Sequence, residues 1–243
     1  MMQTVETLFF DLYGTLIRIH TDEEDLDRVW KPLCYLYGYY GAAYTPETLR
    51  EEYRRQIRQR EAEARNSSGY RWPEIQLDGV FAALFARKGM EPVSQETLRQ
   101  VGMMLRACST GESELYPGAL ELLDTLRSGG KQVFLLSNAQ RLFTEPEMKR
   151  LDLWGRFDRI FISSDWGVKK PDPAYFQLAL RAAGTLPERC LMVGNSPHDD
   201  IRPARELGIR TCFLDTDRVA ARPACDLYYP GAHYAAFLRE ILV

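Results

Sequence analysis

The sequence predicts an α/β protein whose doubly wound parallel sheet is interrupted, after its first strand, by a helical insertion. From residue 115 onward, short apolar, β-branched or aromatic runs alternate with amphipathic stretches, the pattern of strand–helix units around a parallel sheet. Residues 18–113 differ, because their apolar residues recur at helical spacing with almost no strand signal. We therefore expect a core domain of residues 1–17 and 114–243 and a helical domain of residues 18–113.

The predicted sheet contains at least five strands, which right-handed crossovers would stack into a doubly wound, Rossmann-like arrangement. Pro117 and the pair Gly129-Gly130 are start and stop signals for the helix that precedes the second of these strands. Strands are expected in TLFFDL (7–12), QVFLLSN (132–138), RIFISSD (159–165), CLMVGN (190–195) and TCFLDT (211–216), and helices in PGALELLDTLRSGG (117–130), DPAYFQLALRAAG (172–184) and DDIRPARELGI (199–209).

Within the insertion, Thr45 and Ser94 are predicted to cap the N-termini of two helices, because their side chains can accept hydrogen bonds from the first turn. Two segments rich in small and polar residues, NSSGY (66–70) and GESELYPG (111–118), are predicted loops or hinges. The four helical stretches are expected at residues 22–42, 45–66, 72–89 and 94–108.

Composition indicates a soluble globular protein, since 45% of the 243 residues are hydrophobic and 27% are charged. A formal net charge of -3 provides no broad basic field, so we expect a small-molecule partner and neither nucleic acid nor a membrane. The five cysteines are odd in number and form no C-x-x-C pair, which is typical of reduced packing residues. With no apparent signal peptide or bilayer-length apolar run, the expected compartment is the cytoplasm.

Polar side chains follow four of the predicted strands. Ligands of open α/β sheets bind outside the carboxyl ends of the strands, so these side chains should converge in one crevice. A carboxylate, a hydroxyl donor, an ammonium and a second acidic cluster suit covalent substitution at an electrophile that carries negative charge. The residues are Asp11, Gly14 and Thr15; Ser137 and Asn138; Lys169, Lys170, Pro171 and Asp172; and Asn195, Ser196, His198, Asp199 and Asp200.

The order and content of these segments resemble the haloacid dehalogenase-like (HAD) hydrolase superfamily. The insertion is similar to the α-helical cap domain that one subclass of this superfamily carries after its first motif. We therefore expect a Rossmann-like HAD core with a helical cap over the strand ends. The four segments that resemble the superfamily motifs are DLYGTL (11–16), LLSNA (135–139), GVKKPDPAYF (167–176) and VGNSPHDDIRPARELGIRT (193–211).

The resemblance implies hydrolysis through an aspartyl-enzyme intermediate, with Asp11 as the nucleophile. By the same resemblance, Ser137 and Asn138 orient the transferred group, Lys170 neutralises charge, and Asp200 binds metal or positions the hydrolytic water. It further implies substrate binding by Gly14 and Thr15, and a Mg²⁺ ion whose ligands are Asp11, the Tyr13 carbonyl, Asn195 and Asp200.

Tyr13 departs from the phosphatase pattern. In the phosphatases of the superfamily, a carboxylate two residues after the nucleophile protonates the leaving alkoxide, and general acid catalysis of this kind is worth about 10² to 10⁴ in rate. A halide leaves without a proton, and the 2-haloacid dehalogenases of the superfamily use an Asp-x-Tyr-Gly-Thr motif. The first motif therefore favours dehalogenation.

The later motifs favour a phosphatase, since residues 194–200 resemble its Gly-Asp-Ser-x-x-x-Asp loop. Asn195 replaces the first Asp of that loop, so we expect weaker Mg²⁺ binding. The sequence thus predicts a Mg²⁺-assisted phosphatase acting on small phosphorylated metabolites with good leaving groups. A 2-haloacid dehalogenase is the alternative, and a non-catalytic relative that binds a metabolite or a protein is a third hypothesis.

Overall fold

The computed structural model describes residues 5–219 and 221–242. Six strands form one parallel sheet in the order β5-β4-β1-β6-β7-β8, and β2 and β3 form a separate antiparallel ribbon. This confirms the predicted doubly wound sheet and adds β8, a three-residue edge strand. The strands are β1 (Thr7–Phe10), β2 (Ile17–Thr21), β3 (Thr110–Leu115), β4 (Gln132–Ser137), β5 (Arg159–Ile162), β6 (Cys190–Gly194), β7 (Arg210–Leu214) and β8 (Leu227–Tyr229).

The predicted helices lie close to their expected positions, and three further helices were not predicted: α7, α10 and α6, whose sequence RLFTEPEMKR contains an internal proline and few apolar residues. The strand predicted at 159–165 is wrong over residues 163–165, because the chain turns into α7 at Ser163. Within the described ranges, no helix combines the length and the apolar character needed to cross a membrane. The helices are α1 (Lys31–Tyr39), α2 (Pro46–Ser67), α3 (Leu77–Ala86), α4 (Gln95–Ser109), α5 (Ala119–Ser128), α6 (Arg141–Arg150), α7 (Ser163–Trp166), α8 (Pro173–Ala183), α9 (Arg202–Glu206) and α10 (Tyr234–Leu242).

The sheet is buried on both faces because its strands are apolar throughout. All four residues of β1 are buried, with Leu8 and Phe10 in one hydrophobic cluster and Phe9 in the other. Helices α5 and α10 cover the first face, and α8 covers the second. Successive side chains of a strand point to opposite faces, so one four-residue run contributes to both halves of the core.

The insertion has a hydrophobic cluster of its own, contributed by helices α1 to α4 and the turn at Leu26–Trp30. The ribbon of β2 and β3 lies where the chain enters and leaves this helical part. The loop prediction for residues 111–118 is therefore wrong over β3, because pairing with β2 and ion pairs from Arg18 to Glu112 and Glu114 order this polar segment. The domain division at residues 17/18 and 113/114 stays a prediction.

Both predicted N-caps of the insertion are confirmed. Thr45 accepts a hydrogen bond from the Thr48 N–H at 3.3 Å, and Ser94 accepts one from the Thr97 N–H at 3.1 Å. The Thr48 hydroxyl also lies 3.0 Å from the Thr45 N–H, which completes a reciprocal capping box at the start of α2.

We predict that Thr45→Ala lowers the free energy of unfolding by about 1 kcal/mol, because one N–H of α2 loses its acceptor. For a chain of this size, that loss corresponds to a Tm about 2–4 °C lower in a thermal melt followed by circular dichroism. Thr45→Ser keeps the acceptor and serves as the control. Equal melting temperatures for the Ala and Ser variants would contradict the capping account.

Candidate active site

The Lys170 ammonium lies between two carboxylates at the carboxyl edge of the sheet. Its Nζ is 2.7 Å from Oδ1 of Asp11, which follows β1, and 2.7 Å from Oδ1 of Asp200, which lies in the turn after β6. The three side chains are buried, and those of Lys170 and Asp200 are 2% and 1% exposed. The structure therefore brings together the predicted nucleophile, the predicted cation and the predicted acidic residue.

Two carboxylates share one ammonium here, so negative charge is in excess when both are ionised. Burial opposes a charged Lys170, but Asp11 and Asp200 outweigh it and raise the pKa of the lysine. Burial raises the pKa of Asp200 to about 7; Lys170 opposes this shift and Asp11 adds to it. Excess buried charge of this kind is relieved by a proton or by a cation.

Gly14 and Thr15 form the turn that ends the first strand segment. Gly14 has a φ of +79°, and a Cβ at this position would lie 2.1 Å from Asn195 Nδ2, so no other residue fits the turn without displacing that amide. The Thr15 hydroxyl lies 3.4 Å from Asp11 Oδ2 and 3.3 Å from Asn195 Oδ1. These two oxygens therefore face the same side of the site.

Ser137 and Asn138 follow β4 but have different surroundings. Ser137 Oγ is buried and has no hydrogen-bond partner among the described residues, so its hydroxyl is available to a bound group. The Asn138 amide contacts the Lys170 main chain, with Nδ2 donating to its carbonyl at 2.9 Å and Oδ1 accepting from its N–H at 2.8 Å. Asn138 thus holds the lysine loop, and its predicted role on the transferred group stays a prediction.

The acidic loop after β6 directs Asp200 inward and Asp199 outward. Asp200 Oδ2 accepts a hydrogen bond from the Ser196 N–H at 3.0 Å. Asp199 Oδ1 instead lies 2.7 Å from Nδ1 of the exposed His198, and Oδ2 lies 3.4 Å from Ser196 Oγ. Asp199 is therefore occupied within its own loop, although it is the immediate neighbour of Asp200.

The Tyr13 side chain is held by a charged cluster between α4 and α6. Its hydroxyl donates to Glu147 and lies 3.0 Å from the Thr144 hydroxyl. Arg106 of α4 donates through Nε to Glu147 at 2.5 Å, and its guanidinium lies 5.1 Å from the Tyr13 ring centre. Burial, and then the Glu147 carboxylate, raises the pKa of the Tyr13 phenol. This phenol is a poor proton donor to a leaving group.

The main chain of the insertion forms hydrogen bonds with residues 167–172, the loop that contains Lys170. Asp172 Oδ2 accepts from the Arg71 and Trp72 N–H groups at 3.0 and 3.1 Å. The Trp72 carbonyl accepts from the Lys169 N–H at 3.0 Å, and the Glu74 N–H donates to the Gly167 carbonyl at 3.0 Å. We call these four hydrogen bonds the insertion joint.

A cavity of about 330 Å³ lies between the insertion and the strand ends. Its charged residues are Glu74 and Arg106, the latter already paired with Glu147. Burial raises the pKa of Glu74, which accepts a hydrogen bond from Ser163 at 2.8 Å. The volume suits a small ligand. The cavity is lined by Tyr13, Ile19, Glu74, Arg106, Asn138, Ala139, Gln140 and Phe143.

A family model for haloacid dehalogenase-like hydrolases matches residues 5–208. The chain belongs to this family. The match contains the first three motif segments, residues 193–208 of the fourth and the whole insertion, and the residues expected from the resemblance to act together, Asp11, Lys170 and Asp200, are in contact. This HAD-like hydrolase also shares its overall fold with solved members of the superfamily.

Two solved structures illustrate the shared fold. A 2-haloacid dehalogenase from Pseudomonas syringae pv. Tomato superposes with a TM-score of 0.64 at 19% identity, covering 98% of both chains. A HAD phosphatase from Thermococcus onnurineus has a TM-score of 0.61 at 19% identity, again covering 98% of both. Structures of both reaction classes thus share this fold.

Two curated relatives with higher identity are named as phosphatases. The chain is 33% identical to a phosphoserine phosphatase from Thermus thermophilus, over 59% of this chain and 62% of the relative. It is 30% identical to phosphoglycolate phosphatase 1 from Pseudomonas aeruginosa, over 54% of this chain and 49% of the relative. The chain thus spans about half to three fifths of the length of these curated relatives.

Sequence reasoning missed several residues around the site of this HAD-like hydrolase. Glu147 lies on α6, a helix that the apolar pattern of the sequence did not predict. Arg106 lies on the face of α4 that packs against α6 and pairs with Glu147. Asp217 follows β7 and accepts a hydrogen bond from Asn195 Nδ2 at 2.6 Å. A polar residue after the predicted strand 211–216 was the available signal for Asp217.

We predict that Tyr13→Phe lowers the free energy of unfolding by about 1–3 kcal/mol, because a carboxylate loses a buried hydroxyl donor. Glu147→Gln should lower the free energy of unfolding by about 2–3 kcal/mol. This loss is somewhat below that typical of a fully buried ion pair, because the side chains of Arg106 and Glu147 remain 16% and 11% exposed. Urea unfolding of each variant measures both values.

The control for these variants is Glu96→Gln, which removes the exposed partner of Arg99 on the same helix, α4. Its unfolding midpoint should match that of the unmodified protein, because exposed ion pairs contribute little. Three equally stable variants would show that the Tyr13 cluster does not support the fold.

We predict a pH dependence that originates at Asp200. Because its pKa is raised to about 7 in the fold, protonation stabilises the folded state fully below the unfolded pKa of 3.8, and this stabilisation is lost as the pH rises through about 7. Urea unfolding is measured with chelator present. As the pH is raised from 5 to 8, the free energy of unfolding of Asp200→Asn should increase by about 1–3 kcal/mol relative to that of the unmodified protein. Parallel pH profiles would contradict this assignment.

Proposed function

We propose that this HAD-like hydrolase is a Mg²⁺-assisted phosphatase that acts on small phosphorylated metabolites with good leaving groups. The observation that carries the proposal is the buried excess of negative charge at Asp11 and Asp200, which share the one ammonium of Lys170. A site of this charge suits a divalent cation together with a phosphate group. The phosphatase names of the curated relatives support the same choice.

The residues of the site fit Mg²⁺, although the described part of the chain contains no group of three His, Cys, Asp or Glu side chains suited to a metal. Mg²⁺ takes oxygen ligands and is usually held by one or two carboxylates with water and substrate phosphate. Asp11, Asp200, the Tyr13 carbonyl and the Asn195 amide oxygen would hold it. Bound there, it would neutralise charge on the transferring phosphoryl group.

The chemistry of the chain itself begins at Asp11. One of its carboxylate oxygens attacks phosphorus, and the bond from phosphorus to the leaving oxygen breaks with its electron pair on the departing group. Ser137 donates a hydrogen bond to a phosphoryl oxygen, and Lys170 offsets the added negative charge. Water then cleaves the aspartyl phosphate, releasing inorganic phosphate and restoring Asp11, with Asp200 positioning that water.

Tyr13 sets the range of leaving groups. Its hydroxyl proton is committed to Glu147, and its pKa is raised, so this position supplies no acid to a departing alkoxide. Acyl and aryl phosphates leave as weaker bases and need less protonation. Such substrates should be turned over better than alkyl phosphates by about the 10² to 10⁴ that an acid contributes.

The lack of an acid at Tyr13 also favours the second candidate, a 2-haloacid dehalogenase, in which Asp11 displaces a halide and forms an aspartyl ester. A halide needs neither the missing acid nor a metal. We rank it second because the acidic loop contains Asp200 in the phosphatase arrangement, with Pro197 where the dehalogenase loop has Asn.

We further propose that helices α1 to α4 act as a cap over the strand ends. The insertion joint and the cavity between the insertion and the core support this role, since a closed cap excludes water from the reacting group. The cavity volume and the net charge of -3 support a small anionic substrate in preference to nucleic acid or a membrane surface. The unpaired cysteine pattern supports a cytoplasmic setting.

The test is release of inorganic phosphate from a panel of acyl, aryl and alkyl phosphates, with Mg²⁺ or with chelator. We expect Mg²⁺-dependent release that rises as the leaving group becomes a weaker base. Asp11→Asn is the blank, since it keeps the shape of the nucleophile and removes its charge. Chloride release from 2-chloropropionate is measured on the same protein.

Each pattern of results selects one candidate. Phosphate release that needs Mg²⁺ and disappears in Asp11→Asn supports the phosphatase. Chelator-resistant chloride release without phosphate release overturns it in favour of the dehalogenase. A folded protein that releases neither ion is the result expected of a non-catalytic relative.

A further inference from the structure

Asn195 occupies the one position of the acidic loop where the sequence lacks the expected carboxylate, and its amide is oriented by a residue outside that loop. Asn195 Nδ2 donates to Asp217 Oδ2 at 2.6 Å. A carboxylate only accepts hydrogen bonds, so this contact fixes which end of the amide is the NH₂ group. The opposite end, Oδ1, lies 3.3 Å from the Thr15 hydroxyl, on the side that Asp11 Oδ2 also faces.

The segment that carries Asp217 is docked against the first motif. The Thr216 hydroxyl donates to the Gly14 carbonyl at 2.6 Å, and Asp215 accepts from the Val219 N–H at 2.8 Å. Asp217 therefore approaches Asn195 from a segment that is itself attached to the turn beside the nucleophile. Asp199, the neighbouring acid in the loop, is instead held by His198.

We propose that Asp217 orients the Asn195 amide so that its oxygen can bind the divalent cation. The Asp217 carboxylate, hydrogen-bonded to the NH₂ end of that amide, also supplies the negative charge that Asn195 lacks. The inference rests on the proposed phosphatase function, because it needs a cation beside Asp11. Without Asp217, the Asn195 amide loses the acceptor that holds its NH₂ group and can turn that group towards the cation. With Asp217, the amide presents its oxygen, polarised by the carboxylate behind it.

The expected effect is moderate because Asp217 is solvent-exposed and its charge is screened. Partners that orient metal ligands typically contribute about 10- to 100-fold to metal affinity, and an exposed one should fall at the lower end of that range. Removal of the Asp217 charge should therefore weaken cation binding about tenfold.

The experiment measures Mn²⁺ binding to the full chain by electron paramagnetic resonance and Mg²⁺ binding by calorimetry, both without substrate. Asp217→Asn keeps an oxygen for the Asn195 amide and removes the charge, and we expect its Kd to rise about tenfold. Asp199→Asn is the matched control, an acid in the neighbouring loop whose carboxylate is held by His198. Its Kd should stay within about twofold of that of the unmodified protein, because the Asp199 carboxylate contacts His198 and Ser196 and none of the four proposed ligands.

A double-mutant cycle with Asn195→Asp tests the route of the effect. Asn195→Asp supplies a carboxylate directly, so the cation no longer needs an oriented amide. Adding Asp217→Asn to Asn195→Asp should then raise the Kd by no more than about twofold, because only the screened charge of an exposed carboxylate is lost and no amide remains to be oriented. A tenfold loss in both backgrounds would show that Asp217 acts only as a distant charge and would overturn the proposal.

Two further outcomes are decisive. Tight binding by the unmodified protein with equal Kd values for Asp217→Asn and Asp199→Asn overturns this inference and leaves the proposed phosphatase intact. A folded, unmodified protein that binds neither ion overturns the metal-assisted function and this inference with it. Circular dichroism spectra of all variants establish that each is folded.

Discussion

The ion pairs of Lys170 with Asp11 and Asp200 are the constraint on which the rest of the site depends. Three charged groups are buried together, and such burial is tolerated only when each charge has a close partner. The surrounding structure serves that requirement. Asn138 fixes the lysine backbone, the Ser196 N–H binds Asp200, and Gly194 leaves room for the Asp200 carboxylate, which a Cβ there would approach to 2.3 Å.

Tyr13 lies two residues after Asp11, and its side chain forms contacts with the neighbouring helices α4 and α6. A residue two positions after a nucleophile is close enough to serve as an acid, but here the phenol belongs to a cluster with Glu147 and Arg106. That cluster joins the first motif, a core helix and the insertion. The Tyr13 side chain thus contributes to packing between the core and the insertion, and in the proposed phosphatase this position supplies no proton to the leaving group.

The sheet, most helices and the convergence of Asp11, Lys170 and Asp200 were predictable because they follow from local pattern and from one rule about strand ends. The contacts of Tyr13 and Asn195 were not. Tyr13 meets Glu147 across 134 positions of sequence, on a helix with an internal proline, and Asn195 meets Asp217 across 22. Such pairs depend on how helices and strands pack together, and the hydrophobic periodicity of the sequence carries no information about that packing. The ribbon of β2 and β3 was missed for a related reason, since pairing orders a segment that is polar by composition.

The insertion joint uses the N–H groups of Arg71, Trp72 and Glu74 and the carbonyl group of Trp72. Every amino acid except proline carries both groups, so these four hydrogen bonds do not depend on which side chains occupy positions 71, 72 and 74. The Glu74 carboxylate adds a side-chain attachment, since it accepts a hydrogen bond from Ser163 and pairs with Lys169. Side chains other than proline can therefore replace those at positions 71 and 72 without removing these hydrogen bonds to the loop that carries Lys170. In the proposed phosphatase, the main chain of the insertion thus serves attachment, and its side chains are left to contact the substrate.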